Sequence, residues 1–212
     1  VPAIISRFVP DENVIFFPNS TPPERMVFEI DDEYLDFEEE HLAALEERIA
    51  ENSHSAEIDE LFDRANKLRF LQGNHYKYDK TVENMVEHVD FVKQRMTCEL
   101  NEEATEILHK GLFYTHGRDR NFRPICILRA AVLTTGKINY EEAMNAYFFV
   151  AAYTIKNLLV PGKAENWDSI IDLNNLAVSR LPLKFTIQFV KLMQAHLKCR
   201  SRCFILLNVT MA

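Results

Sequence analysis

The first half of the chain places its apolar residues at the spacing of amphipathic helices. From Glu38 onward, Leu42, Leu45 and Ile49 fall on one helical face. A second predicted helix, capped by Ser53 or Ser55, continues the spacing through Ile58, Leu61, Phe62, Ala65, Leu68 and Leu71. A third is predicted over about residues 79–96, and a fourth begins at Asn101. Together they predict a helical module over residues 38–110.

The segment 68–85, LRFLQGNHYKYDKTVENM, predicts the end of one helix, a tight break and the start of the next. Gly73 and Asn74 tolerate a positive φ, which is typical of the residue that follows a helix. Asp79 stands where the next helix would take its N-cap.

After Gly111 the spacing changes to that of strands alternating with helices. Strands are predicted at 112–114 and 124–130, then a helix from Tyr140 to Pro161 and a strand at 167–173. An amphipathic helix over 181–197 and a last strand at 203–209 follow. This order predicts an α/β fold over residues 111–212, with a mostly parallel βαβαβ sheet and flanking helices.

Residues 1–37 predict an extended, proline-rich and acidic arm. Five of the eight prolines lie within the first 23 residues, which excludes regular helix there. We expect this arm to pack on the body through Phe16 and Phe17, and the acidic run 29–40 to be a solvated linker or helix start.

The net charge of −8 hides an uneven distribution. Residues 1–65 carry 18 acidic and 4 basic residues, whereas residues 66–212 carry 14 acidic and 20 basic residues. The overall acidic balance argues against nucleic-acid binding. Residues 66–212 have a net positive charge, which allows contact with anionic lipid headgroups.

No motif of a catalytic or metal site is present. The sequence lacks HExxH, GxSxG, GxGxxG and a phosphate loop, and Cys98, Cys126, Cys199 and Cys203 form no zinc-ligand pattern. We therefore expect no enzyme, metal or cofactor, and reduced cytoplasmic thiols. The longest apolar run, at 146–155, is too short to span a membrane, and no signal peptide is expected.

Six segments, in this order, resemble the CRAL-TRIO lipid-binding family, including its phosphatidylinositol/phosphatidylcholine transfer proteins. They are 68–85, Arg123-Pro124 with the following ICIL, 141–161, 169–173, Leu181-Pro182 and 204–208. The resemblance covers about residues 55–212. This chain departs from the family pattern at Phe122 and Asn174, where a glycine is usual, and at 72–74, where basic residues are usual.

The resemblance implies a hydrophobic ligand, such as a phospholipid, held in an apolar pocket between the sheet and a gate helix. In the family, the last matched strand is followed by that gate helix, another strand and a closing helix. The sequence ends at Ala212, so the resemblance implies that the C-terminal part of the domain is lacking here.

The candidate lipid-binding residues come from the predicted strands, the long helix and the end of the amphipathic helix. They are Cys126, Leu128, Phe148, Ala152, Ile155, Trp167, Ser169, Ile171, Arg200 and Phe204. By resemblance, Ser169 matches a phosphocholine contact and Arg200 a basic position near the headgroup. The alternatives are that the apolar residues are plain core and that Arg200 is a surface charge at a helix end.

The sequence supports two main hypotheses for function. The first is binding and transfer of a phospholipid or other hydrophobic molecule by a cytoplasmic protein that visits membrane surfaces. The second is an interaction or scaffold module of the same fold, for a small GTPase or a signalling partner, with Lys184, Lys191 and Lys198 as a partner surface. An enzyme is the third and weakest reading.

Overall fold

The computed structural model describes residues 2–30, 34–96, 99–135 and 138–210. Within these ranges lie helices α1 (Glu12–Ile15), α2 (Asp36–Ala50), α3 (Ser55–Leu61), α4 (Arg64–Gly73), α5 (Tyr78–Phe91), α6 (Glu102–His109), α7 (Tyr140–Asn157) and α8 (Leu183–His196). The strands are β1 (Phe113–Arg118), β2 (Pro124–Arg129), β3 (Trp167–Asp172) and β4 (Ser201–Leu207). The predicted α/β class with a helical N-terminal module is confirmed.

The four strands form one sheet in the order β1-β2-β3-β4. β1 and β2 are antiparallel, whereas β2, β3 and β4 are parallel, with α7 following β2 and α8 following β3 in the chain. The register aligns Cys126 with Ser169 and Ser169 with Phe204. Because side chains alternate across a strand, this row shares one sheet face with the row Leu128, Ile171 and Leu206.

Two large apolar clusters form most of the core of the described residues. One joins α2 to α5 through residues such as Leu45, Ile58, Leu68 and Met85. The other lies between the sheet, α6, α7 and α8, and it also includes Phe91 at the end of α5. Helices α2 to α5 therefore pack mainly on one another, whereas α6 packs with the α/β part.

The predicted second helix is two helices, α3 and α4. The backbone is extended at Phe62 and Asp63, and the Asp63 carboxylate accepts a hydrogen bond from the Asn66 amide as the N-cap of α4. The spacing of apolar residues does not indicate this break, because Phe62 lies between the two helices and is still buried.

The break after α4 also differs from its prediction. α4 ends at Gly73 as expected, but the positive φ angles belong to His75 and Tyr76. Gly73 has an ordinary φ, but it leaves room for Lys198: a Cβ at position 73 would lie 2.7 Å from Cδ of Lys198 and would force that side chain to move. Asp79 lies inside α5 and pairs with Arg48, so it is not the N-cap.

The N-terminal arm is partly buried, and of the two phenylalanines expected to pack, Phe16 is half-buried under the Arg25 guanidinium, 4.8 Å from its ring centroid. Residues 25–28 are buried, whereas Phe17 is 44% exposed. Nζ of Lys163 donates to the carbonyl oxygens of Ile5, Ser6 and Phe8, which ties the start of the arm to the segment before β3. The acidic run is not wholly solvated, because Glu38 is buried and pairs with Arg25 at 2.6 Å.

The carboxylate of Glu165 joins three parts of the molecule. One oxygen accepts from Nη2 of Arg69 on α4 at 2.7 Å and from the amide of Phe28 in the arm at 2.8 Å. The other accepts from the amides of Glu29 and Gly162. Both charged side chains are only 1% exposed. A buried carboxylate is tolerated here because all of its acceptor positions face donors.

Two histidines meet where the helical module contacts α8. Nδ1 of His88 on α5 lies 3.3 Å from Nδ1 of His196, and the His196 ring stacks on Phe91 with centroids 3.7 Å apart. Burial, with His196 nearby, lowers the pKa of His88 to about 3. Burial, with Lys198 and Arg95 nearby, lowers the pKa of His196 to about 4. Both rings are therefore neutral at pH 7.

Replacing Glu165 by glutamine should lower the free energy of unfolding by about 3–5 kcal/mol, because Arg69 would keep its buried charge without a counter-ion. Urea unfolding at pH 7 measures this. The matched control is Glu51→Gln, which removes an exposed ion pair with Arg48 and should cost under about 1 kcal/mol. Equal effects of the two substitutions would show that the buried pair does not hold the modules together.

Stability should fall as the pH drops from about 6.5 toward 3, because the unfolded chain binds protons at both histidines before the folded chain does. Between pH 7 and pH 5 we expect the two rings to account for a loss of roughly 2–4 kcal/mol, measured by urea unfolding at each pH. The variant with His88→Gln and His196→Gln should lose this part of the pH dependence. An unchanged pH dependence in that variant would contradict the assignment.

Candidate functional site

An apolar groove opens between the sheet and α8. Its volume is about 480 Å³. The floor comes from β2, β3 and β4 through Leu128, Ile171, Phe204 and Leu206, and α8 supplies Phe185, Phe189, Val190 and Met193. Alternate residues of the three parallel strands point to this face of the sheet, and these residues form the floor of the groove.

The outer edge of the groove is exposed hydrocarbon. β4 is the last strand of the sheet, and Phe204 and Leu206 are 54% and 55% exposed. Ile205 and Leu207, which alternate with them, face the other side of the strand and are 41% and 43% exposed. These four residues make a continuous exposed apolar surface along β4.

A small cavity of about 30 Å³, called here the inner cavity, lies beside the groove between the sheet and α7, and Phe189, Met193 and Phe204 line both. Its lining also includes Cys126, Tyr147, Ala151, Trp167 and Ser169. The rings of Tyr147 and Phe189 meet at this cavity, with centroids 4.5 Å apart. The remaining room suits one or two water molecules and not a hydrocarbon chain.

A polar recess of about 440 Å³ adjoins the groove and shares Met193, Gln194 and Phe204 with it. The recess also presents Gly73, His75, Lys198 and Ser201. Nζ of Lys198 donates to Oδ1 of Asn74 at 2.9 Å, and burial lowers the pKa of this lysine. The apolar groove thus ends in a pocket with a cation and a hydroxyl.

Six of the ten predicted site residues line the groove or its inner cavity: Cys126, Leu128, Trp167, Ser169, Ile171 and Phe204. Their contact with a ligand stays a prediction. The stripe Phe148, Ala152 and Ile155 does not line it, because α7 turns Tyr147, Val150 and Ala151 toward the cavity. Phe148 is 0% exposed and packs against Phe91, so the plain-core alternative describes it.

Arg200 occupies neither of its two predicted environments. Its side chain is buried, and it donates to the backbone oxygen of Glu165 at 3.1 Å and to Oδ1 of Asn66 at 3.3 Å. Burial, together with the nearby Arg69, lowers the pKa of Arg200 to about 9, so the guanidinium keeps its charge at neutral pH. Arg200, which directly precedes β4, thus contacts Asn66 of α4 and the segment before β3, and it lines neither the groove nor the recess.

The predicted stripe of three lysines is also broken. Lys184 and Lys191 are exposed on α8, but Lys198 lies beyond the end of that helix and is half-buried against Gly73. The three lysines recur every seven residues, which predicts one helical face, but α8 ends at His196 and therefore does not include Lys198. One feature of the sequence could have indicated the recess. Position 73 is a glycine, and a side chain there would press against that of Lys198.

Burial decides the protonation state of the thiol in the inner cavity. Burial raises the pKa of the Cys126 thiol to about 12, so it is protonated and a poor nucleophile. Cys126, Cys199 and Cys203 form no disulfide, and Cys98 lies outside the described residues. Among the described residues, no group of three or more His, Cys, Asp or Glu side chains is placed to hold a metal ion. No described helix combines the length and the apolarity needed to cross a membrane.

A helical module joined to a mixed sheet, with an apolar groove over the parallel strands, defines the class of fold. Residues 108–211 match the model of the CRAL/TRIO domain, and this part of the chain belongs to that family. The structure resembles one described as the crystal structure of Sfh5, with a TM-score of 0.62 and 12% sequence identity, over 85% of this chain and 73% of that chain. At that identity the likeness establishes the fold alone. Comparison with curated proteins gave no match.

Replacing Arg200 by glutamine should lower stability by about 1.5–3 kcal/mol, through loss of charged hydrogen bonds to Glu165 and Asn66. Urea unfolding measures this loss. Uptake of a fluorescent fatty acid by the folded variant should stay at the wild-type level, because Arg200 does not line the groove or the recess. If the variant were as stable as the wild type but took up less probe, Arg200 would be assigned to the ligand site and this prediction would be wrong.

Proposed function

We propose that the protein binds an amphiphilic hydrophobic molecule, such as a phospholipid, with its hydrocarbon in the apolar groove. The observation that supports this most is the union of the groove with the polar recess through Met193 and Phe204. Burying hydrocarbon contributes about 0.8 kcal/mol per methylene group, so even one acyl chain supplies enough free energy for stable binding.

The polar recess suits a headgroup. Lys198 donates hydrogen bonds to the neutral oxygens of Asn74 and Gly73 and forms no ion pair within the described ranges, so a phosphate could add an anionic hydrogen-bond partner. Ser201 can add a hydroxyl contact, and its Oγ lies 3.2 Å from that of Ser169. In this proposal Lys198 takes the headgroup role that the sequence gave to Arg200.

We further propose that the protein is a non-enzymatic lipid carrier in the cytoplasm, which releases its ligand at membrane surfaces. The protonated thiols and the absence of catalytic motifs from the sequence support a binding role. The three unpaired cysteines support a reducing compartment. The CRAL/TRIO membership supports a hydrophobic ligand through the family resemblance.

One observation favours the scaffold alternative. The inner cavity measures only about 30 Å³, and the aromatic rings of Tyr147 and Phe189 line it, as expected of a pocket that has closed. The groove outside it stays open at about 480 Å³, so we place the ligand in the groove and not in the inner cavity.

A fluorescent fatty acid added to the protein in vesicle-free solution tests the proposal. Its fluorescence should rise on binding to the wild type. The affinity for the probe should be lower by roughly tenfold or more in Phe204→Glu, since a charge would face the hydrocarbon. The matched control is Ile205→Glu on the opposite face of β4, which should bind as the wild type does. Failure of the wild type to bind the probe, or equal losses in both variants, would contradict the proposal and favour a scaffold.

A further inference from the structure

The last 40 residues have an unusual charge pattern. Residues 173–212 contain no aspartate or glutamate and six lysines and arginines, in a chain whose net charge is −8. Three of the six cations are engaged. Arg200 and Lys198 are held by polar groups as described above, and Arg202 pairs with Asp168 at 2.6 Å.

The other three cations are exposed on one side of the molecule. Arg180 lies just before α8, and Lys184 and Lys191 lie on it. None of the three forms an ion pair with a described residue. They therefore present their charge to the solvent.

The same helix exposes hydrocarbon between these cations. Leu183 is 70% exposed, Ile187 47% and Val190 43%, and their spacing of four and three residues puts them on one stripe. On the opposite face of α8, Phe185, Phe189 and Met193 are buried in the core. α8 is thus apolar on two faces, and only one of them is covered by protein.

We infer that this outer face lies on an anionic membrane surface. The face, called here the α8 patch, consists of Arg180, Leu183, Lys184, Ile187, Val190 and Lys191. Aliphatic residues bordered by lysines are typical of a helix lying in the headgroup region, where the hydrocarbon enters and the cations meet lipid phosphates. A protein partner is less well matched, because the centres of protein interfaces are depleted of lysine and enriched in aromatic residues.

The α8 patch lies next to the groove, which suggests a role in ligand transfer. This part of the inference rests on the proposed function. Val190 belongs to the patch and also lines the groove. Docking through the patch would bring the mouth of the groove to the membrane, so a hydrophobic ligand could pass between the two without crossing water.

Co-sedimentation with vesicles tests the inference. The 212-residue chain should bind vesicles of phosphatidylcholine with phosphatidylserine more strongly than vesicles of phosphatidylcholine alone, and added salt should weaken the binding. The variant with Lys184→Gln and Lys191→Gln should lose roughly fivefold in binding for each lysine. Leu183→Ser with Ile187→Ser should weaken binding to both vesicle types.

The matched control is Lys80→Gln with Lys110→Gln, which removes two exposed lysines from other helices and should sediment as the wild type does. Thermal unfolding confirms that each variant is folded. No preference for phosphatidylserine, or equal losses in the α8 patch variant and the control, would overturn the inference.

The fatty acid assay without vesicles separates this inference from the proposed function. The α8 patch variants should take up the probe normally, because the substituted residues Leu183, Lys184, Ile187 and Lys191 do not line the groove. A wild type that binds anionic vesicles through the patch but takes up no probe would refute the carrier role and still support the docking surface.

Discussion

The carboxylate of Glu165 is the interaction on which the arrangement of the molecule depends. It accepts hydrogen bonds from the arm at Phe28 and Glu29, from α4 through Arg69, and from Gly162 in its own segment. Each of these donors is needed because the charge is buried, so the carboxylate permits one relative position of arm, helical module and sheet. Arg200 adds a second link by donating to the backbone of the same residue.

That fixed position creates the polar recess. The recess lies at the boundary of the two modules, where the break after α4 supplies Gly73 and His75 and the segment after α8 supplies Lys198. The groove, in contrast, belongs entirely to the α/β part. The apolar and polar ends of the candidate site therefore have different origins, and only the junction between the modules brings them together.

The local patterns predicted most of the fold, because helices and strands follow from the spacing of apolar residues in short windows. The groove floor was predictable for the same reason, since the alternation along β2 and β3 places Leu128 and Ile171 on one face. The pairing of Arg69 with Glu165 was not, because the partners are 96 positions apart and each reads as a surface charge in its own segment. The rotation of α7 was misjudged because that helix is apolar on most faces, so spacing alone did not distinguish the Phe148 stripe from the one that carries Tyr147.

The central claim is that one continuous site holds hydrocarbon over the parallel strands and a polar headgroup at the module boundary. The most direct measurement is to crosslink a phospholipid carrying a photoreactive group on its acyl chain, and to map the labelled peptides by mass spectrometry. The account predicts labels on β2, β3, β4 and the groove face of α8, which an excess of unlabelled phospholipid removes. Labels spread evenly over the surface, or confined to the helical module, would contradict it.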